Sequence, residues 1–533
     1  MKTYIKQLRS TIFLRVLTDG LYVISIAAIP YIIKSLMDYD YDKGLKGILL
    51  MVLLYLLAVG SGMVFQYITQ YHAWLFRKKF FLMLKGDIFN KVVNFSQKEF
   101  EDQDIGAYIS MLDNEVGVVE QYYDSGVNIV QSSINILVYG IYMFIMDPLI
   151  ALAIIFVSCL TLFLPNITSK ELSSRRGKHL KATGHYYSLV KDLLSGFSQI
   201  DYKTRSGYQR EHRENLEKTE EAMMAYGAFN TFVNVFNGFF MYLLDIAAFA
   251  LVGILLVYKQ ISIGVAMATL VYIKEFVYPI RYLISDISRM KSAKGTRDKL
   301  ESFVSKPLTD LPLVEKFEET ICFKGVKKSF GDLTIGPLTL EIQKGKKYVI
   351  VGESGSGKSS LIKLLTKKIN MDQGTISIDG QNLNGVNPEG LISYISQFEH
   401  IFKTSSMNNT SFFSSYQDSQ VDQALDDLKS DKLRGLMASE DASVFSGGEK
   451  QLLALVRLLV RQREILILDE PFASLDPDNR RRFEDMVYGL ENKTMLVITH
   501  QLREDMVHYF DHVLYMTKGQ VQVKEVLEGQ EVG

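Results

Sequence analysis

Apolar residues crowd into six stretches of the N-terminal half, near 12–33, 47–71, 127–146, 148–166, 232–258 and 261–284. Each suits a helix of about 20 residues, the length that crosses the hydrocarbon core of a bilayer. The count is even, so both flanks share a side. Long polar segments join the second stretch to the third and the fourth to the fifth. They carry Arg77, Lys78, Lys79, Lys85 and Lys91, then Arg175, Arg176, Lys178, Lys181, Lys203, Arg205, Arg210 and Arg213. This excess of Lys and Arg assigns the segments to the cytoplasm, together with the N-terminus and the C-terminal part. The alternate connections, Asp147-Pro148 and Lys259-Gln260, leave almost no external loop. Phe80, Leu84, Ile88 and Val92 keep helical spacing inside a polar segment, which predicts spans continuing as helices beyond the membrane.

After Pro307 and Pro312 the pattern changes to short strands, and the chain of 533 residues is too long for one core. The expected division is a membrane domain over 1–305, a linker over 306–314 and a globular α/β domain over 315–533. A net charge of −1 averages over two unlike halves and indicates no basic face for nucleic acid. Cys159 and Cys322 lie far apart and form no disulfide framework. The basic N-terminus lacks a small-residue cleavage site, so a retained cytoplasmic elbow is expected rather than a cleaved signal.

Candidate chemistry sits in the C-terminal part. YVIVGESGSGKSSLIKLLTK runs strand, glycine-rich loop, helix, the context a P-loop requires. In the loop Gly352-Glu353-Ser354-Gly355-Ser356-Gly357-Lys358-Ser359-Ser360, the glycines let backbone N–H groups turn inward around phosphates. Lys358 reaches the terminal phosphates, and the Ser359 hydroxyl is a Mg²⁺ ligand candidate. EILILDEP is an apolar, parallel-type strand ending in Asp469 and Glu470, one acid for the Mg²⁺ shell and one to polarise water.

Further residues carry a resemblance over nearly the whole chain. Gln397 in YISQFEHIF, FSGGEKQ at 445–451, the Ser474-Leu475-Asp476 turn and His500 in LVITHQL follow the P-loop in an order that resembles the nucleotide-binding domain of ABC transporters. EFEDQDIGAYISMLDNEV and SGFSQIDYKTRSGYQREHRENLE resemble the exporter-type transmembrane domain. The resemblance implies an α-helical polytopic membrane domain of six long helices, fused to an α/β P-loop ATPase domain with a helical subdomain. It implies that Gln397 senses the γ-phosphate and Mg²⁺, Glu470 polarises water and His500 holds the γ-phosphate. Ser446, Gly447, Gly448 and Glu449 would close over ATP bound by an opposing subunit, with Asp476 in the turn at the dimer contact. Coupling helices would lie near Phe100–Asp104 and Asp201–Tyr208.

Several positions depart from the family pattern. The adenine-stacking aromatic falls on Phe330, whose phenyl ring still stacks on a purine; a core position is the other reading. Phe445 and Glu449 replace the usual Leu and Gln, and a carboxylate near a γ-phosphate is electrostatically unhelpful. The stretch from Gln397 to Ser446 is short and has ASEDASV before the signature. No cysteine-protease segment precedes the first span, so leader-peptide cleavage is not expected.

Asp245, Lys274 and Glu275 lie within the fifth and sixth stretches, where ionisable groups are costly and mark a transport pathway or an acid satisfied inside the bundle. Asn128, Asn135, Asn234 and Asn237 suit helix-to-helix hydrogen bonds. The aromatics around Phe229–Tyr242 suit an adaptable cavity or lipid-facing packing equally. The function expected is ATP-driven export of a peptide, lipophilic drug or lipid by a dimer of half-transporters in the cytoplasmic membrane. ATP and Mg²⁺ are the expected cofactors. A non-transporting sensor of the same family is the rival reading, and an importer fits poorly with fused halves.

Overall fold

The computed structural model describes residues 2–40, 42, 44–161, 164–307, 311–331, 333–396, 399–473, 475–500 and 502–526. The chain divides into two units, Met1–Lys91 with Ile105–Lys306, and Val92–Asp104 with Pro307–Gly533.

In the first unit the apolar stretches are helices, the form in which a chain in lipid satisfies its own backbone. Among the described residues five helices are long and apolar enough to cross a membrane: Thr3–Met37, Leu45–Val93, Ile105–Met146, Arg205–Val257 and Ile263–Ser305. The expected fourth span falls on Pro148–Thr161 and the start of Leu164–Ser195, and its residues 162–163 lie outside the described residues. The helices run to 49, 53 and 43 residues for the second, fifth and sixth, longer than a bilayer needs. Phe76, Phe80, Leu84 and Ile88 are fully buried at four-residue spacing along the second.

The turns follow from local chemistry. Asp147 alone separates two helices; its backbone is extended, its carboxylate accepts the Ile150 N–H at 2.9 Å, and Pro148 opens the next helix. Ser262 caps the last helix by accepting the Val265 N–H at 3.1 Å. Asp38, just past the first helix, accepts from the Ser262 hydroxyl at 2.6 Å and the Gly264 N–H at 3.0 Å. A Cβ on Gly264 would stand 2.5 Å from the Lys34 carbonyl oxygen, so only glycine allows that approach. Val23, Ala27, Tyr139, Met143, Ala151, Tyr272 and Phe276 belong to one buried core.

In the second unit, β1 (Thr320–Phe330), β2 (Leu333–Gln343), β4 (Gln373–Ile378) and β5 (Gln381–Asn382) form an antiparallel sheet in the order β2-β1-β4-β5. The larger sheet uses β3 (Lys347–Gly352), β6 (Ile392–Ile395), β7 (Ile465–Asp469), β8 (Thr494–Thr499), β9 (His512–Thr517) and β10 (Gln520–Glu525), ordered β10-β9-β3-β8-β7-β6. All its pairings are parallel except β9 with β10. Every residue of β7 is buried, as an apolar run between helical layers requires. The helices Asp418–Asp427 and Asp431–Leu436 pack on Gly447–Val460. The short helix Gln97–Glu101 belongs to this unit and has a capping box between Ser96 and Glu99.

Candidate functional site

The carboxyl ends of β3, β7 and β8 meet at one place, where ligands bind in open α/β sheets. β3 ends at Gly352, whose hypothetical Cβ would lie 2.2 Å from the Met516 carbonyl oxygen. Gly357 has φ 106° and begins the helix Lys358–Leu365, a left-handed entry that glycine alone takes without strain. Glu353, Ser354 and Gly355 are exposed, Ser360 is half-buried and Ser356 is buried. The Ser356 hydroxyl is a buried polar atom without a hydrogen-bond partner among the described residues. The Lys358 ammonium donates to the carbonyls of Gly352 at 2.6 Å and Glu353 at 2.9 Å. Burial pushes its pKa below the ordinary lysine range, against the pull of Glu470 and Asp469.

Asp469 closes the other side. Its Oδ2 accepts from the Ser359 hydroxyl at 3.4 Å and the Tyr394 hydroxyl at 3.3 Å. Burial, then the charge of Glu470, raises its pKa above the usual carboxylate range; Tyr394, Ser359 and Lys358 oppose this. Glu470 follows with φ 51°, a left-handed backbone uncommon outside glycine, and its N–H donates to the Ile498 carbonyl at 3.1 Å. That turn delivers its carboxylate to His500 at the end of β8, with Nε2 2.6 Å from Oε1. Asp469, Glu470, His500, Lys358 and Ser359 are thus brought together. Gln397 and Ser474 lie outside the described residues.

Phe330 is 43 % exposed at the end of β1, not in the core, with the Lys328 ammonium 5.9 Å from its ring centroid. Ser446 is the N-cap of Gly447–Val460. Its hydroxyl accepts the Glu449 N–H at 3.4 Å, while its own N–H and O–H donate to Glu449 Oε2 at 2.9 and 2.8 Å. The N–H and O–H donors of Ser446 hold the carboxyl of the half-buried Glu449 below its usual range. Glu449 therefore completes a capping box at the first turn, where a negative charge is favoured. Phe445 packs with Ile401, Ala442 and Leu453. Asp476 caps Pro477–Tyr488 through the Asn479 N–H at 3.0 Å.

In the first unit the pathway candidates separate. Asp245 is half-buried and Lys274 exposed, and among the described residues no ion pair joins them. Glu275 is half-buried. Asn128 accepts from Arg15 Nη2 at 2.7 Å, the Asn135 carbonyl oxygen is buried without a partner, Asn234 is exposed, and the Asn237 side chain lies outside the described residues. A buried network went unread in the sequence. Arg15 Nη1 donates to Asp124 Oδ1 at 2.6 Å, and Ser125 donates to the buried Asp286 at 3.0 Å, tying the first, third and last long helices. The signal was there: Arg15 and Asp19 stand one helical turn apart inside an apolar window.

Phosphate chemistry at strand ends and bilayer-length helices in one polypeptide define the class, an ATP-driven membrane transporter. Residues 335–473 match the family described as ABC transporter, and residues 9–280 match the ABC transporter transmembrane region. The chain belongs to the ABC transporter family, as an ATP-hydrolysing half-transporter of exporter type that pairs with another half-transporter. It is 25 % identical to an ATP-dependent lipid A-core flippase of Haemophilus ducreyi, over 93 % of this chain and 89 % of that one. It is 28 % identical to a beta-(1→2)glucan export ATP-binding/permease protein of Bartonella henselae, over 62 % of this chain and 58 % of that one. A bacterial Atm1-family ABC exporter solved with ATP bound shares the fold, with a TM-score of 0.80 at 18 % identity, covering 98 % of this chain and 95 % of that one.

Proposed function

We propose that two such chains, or this chain and a related subunit, export an amphipathic, lipid-like substrate by alternating access driven by ATP. The observation that carries the hydrolytic part is the Glu470–His500 pair beside Asp469 and the P-loop lysine. In this reading Lys358 and the loop 352–360 bind the phosphates, and Phe330 stacks on the base. Glu470 polarises water while His500 fixes its carboxylate. Hard oxygen donors fit Mg²⁺: the Ser359 hydroxyl and the Asp469 carboxylate, with Gln397, would hold it. When bound it offsets charge on the β- and γ-phosphates. Ser446, Gly447 and Gly448 cap the opposing subunit's nucleotide from a helix start, and Asp476 orders the contacting turn. Closure then depends on ligand, because each nucleotide is shared between subunits.

Support for a lipid-like substrate comes from the kinds of relative and from the membrane half. Phe229, Phe232, Phe236 and Phe240 form a continuous ring-to-ring run on the fifth long helix, with centroids 5.1–5.9 Å apart. Lys274 supplies an exposed cation on the sixth. The membrane half is assigned residues 1–305, the linker 306–314 and the ATPase 315–533, with N-terminus and ATPase in the cytoplasm. The test is ATP-dependent uptake of a fluorescent phospholipid into inverted vesicles, with Glu470→Gln as control. Uptake that stops in the variant supports export; substrate-independent ATPase without uptake supports a nucleotide sensor.

A further inference from the structure

Tyr394 stands on β6, paired with Ile467 of β7, and its hydroxyl donates to Asp469. Its ring carries a cation, with Lys368 Nζ 4.5 Å from the centroid. Lys368 follows the P-loop helix and is half-buried. Burial pushes its ammonium below the ordinary range, and the carboxylates of Glu101 and Glu399 pull it back. Glu101 ends the short helix Gln97–Glu101, which interrupts the long polar connection between the second and third predicted spans yet belongs to the ATPase unit. Glu399 accepts from the Ser396 N–H and hydroxyl, both at 2.8 Å.

One aromatic side chain therefore touches the acid that precedes Glu470 through its hydroxyl and the Lys368 ammonium through its ring. A cation over a phenol ring is worth about 0.5–2 kcal/mol and draws density from the ring, which makes the hydroxyl a stronger donor.

We propose that Lys368 and Tyr394 form a positioning pair for ATP hydrolysis: Lys368, through the Tyr394 ring, sets the orientation of Asp469. This rests on the reading of Asp469 and Glu470 as the hydrolytic acids. Loss of the cation from the ring face weakens the Tyr394 hydrogen bond and loosens Asp469 without opening the P-loop. ATP binding is unchanged and turnover falls.

The test uses the full chain in lipid nanodiscs, isolated with any subunit that accompanies it, and reads kcat and KM for ATP. Lys368→Met and Tyr394→Phe each lower kcat roughly three- to tenfold, the size of a mutational coupling effect, with KM within about twofold. Lys368→Arg recovers most of the loss, which a lesion of folding would not. Lys368→Met with Tyr394→Phe falls no further than either alone. An unchanged kcat in Lys368→Met, no recovery in Lys368→Arg, or losses that multiply in the double variant would each overturn the pair. Glu470→Gln separates the two levels: activity persisting there overturns the site assignment itself, whereas activity lost there with Lys368→Met unaffected overturns the pair alone.

Discussion

His500 Nε2 lies 2.6 Å from Glu470 Oε1, although 30 positions separate them in sequence. The contact exists because β7 and β8 are parallel neighbours that end together, and because Glu470 takes a left-handed backbone at φ 51°. Removing the charge while keeping the shape isolates the chemistry. Glu470→Gln is expected to lower ATP turnover by about 10²-fold or more while ATP binding persists, the usual worth of a positioned base. Phosphate release and nucleotide binding, measured on the same preparation, check both halves.

Gly352→Ala tests close packing at the P-loop entrance. The added methyl would stand 2.2 Å from a backbone oxygen of Met516, and backbone cannot give way as a flexible side chain does. A loss of about 1–3 kcal/mol is expected, seen as a lower Tm with weakened nucleotide binding. Gly385→Ala, where nothing lies within 4 Å, is the control and should melt with the parent.

Glu449→Gln separates capping from charge. An amide still accepts from Ser446, so Tm should change little. If the signature helix faces a partner's nucleotide, losing one negative charge raises ATPase by about fivefold, the worth of ~1 kcal/mol for unit charges about 4 Å apart in a water-like dielectric. Steady-state ATPase against wild type measures this, and equal rates would show that the carboxylate acts only as a cap.

Arg457 holds the signature helix to the segment before it. Its guanidinium donates to the His400 carbonyl at 2.6 Å and to Asn409 at 2.8 and 2.5 Å, 5 % exposed overall. Arg457→Met keeps the stem but leaves those acceptors unmade, at about 2–4 kcal/mol. A Tm lower by roughly 5–15 °C, by differential scanning fluorimetry, is expected for a domain of this size.

Asp379 provides the pH prediction. Burial opposes its charge, but N–H donors from Glu318, Glu319 and Thr320, at 2.7–2.9 Å, and the charge of Lys344 leave its carboxyl below the usual range. A folded pKa below the unfolded one adds stability that is complete above the unfolded value of about 3.9 and lost as pH falls through the folded pKa. Asp379 has φ 46°, which asparagine tolerates, so Asp379→Asn changes charge with little backbone strain. It should cost about 1 kcal/mol between about pH 5 and 8, after allowance for its exposure, and the gap to wild type should close below about pH 4. Thermal melts across pH check the sign.

The parts legible in the sequence were those whose backbone is local. The P-loop, the strand ending in Asp469-Glu470 and the start of the signature helix each announce their geometry within a few residues. The S-x-x-E spacing from Ser446 to Glu449 spelled a capping box, yet the family pattern drew attention to charge instead. Contacts across sequence were hidden: nothing near Arg15 names Asp124 as its partner, and nothing near Lys368 names Tyr394 or Glu101. Asp245 and Lys274 share only their polarity in an apolar setting; on different helices, whether they meet depends on a register that one-dimensional spacing does not supply.

The grouping of Val92–Asp104 with the ATPase unit means that each unit is built from two separate stretches of the chain. A chimera that replaces the ATPase at a single splice point near residue 306 would seat a foreign motor against a native 92–104 segment. A graft meant to work would need two splice sites, so recombination between relatives should be tolerated less often than the tidy order of the two family matches suggests.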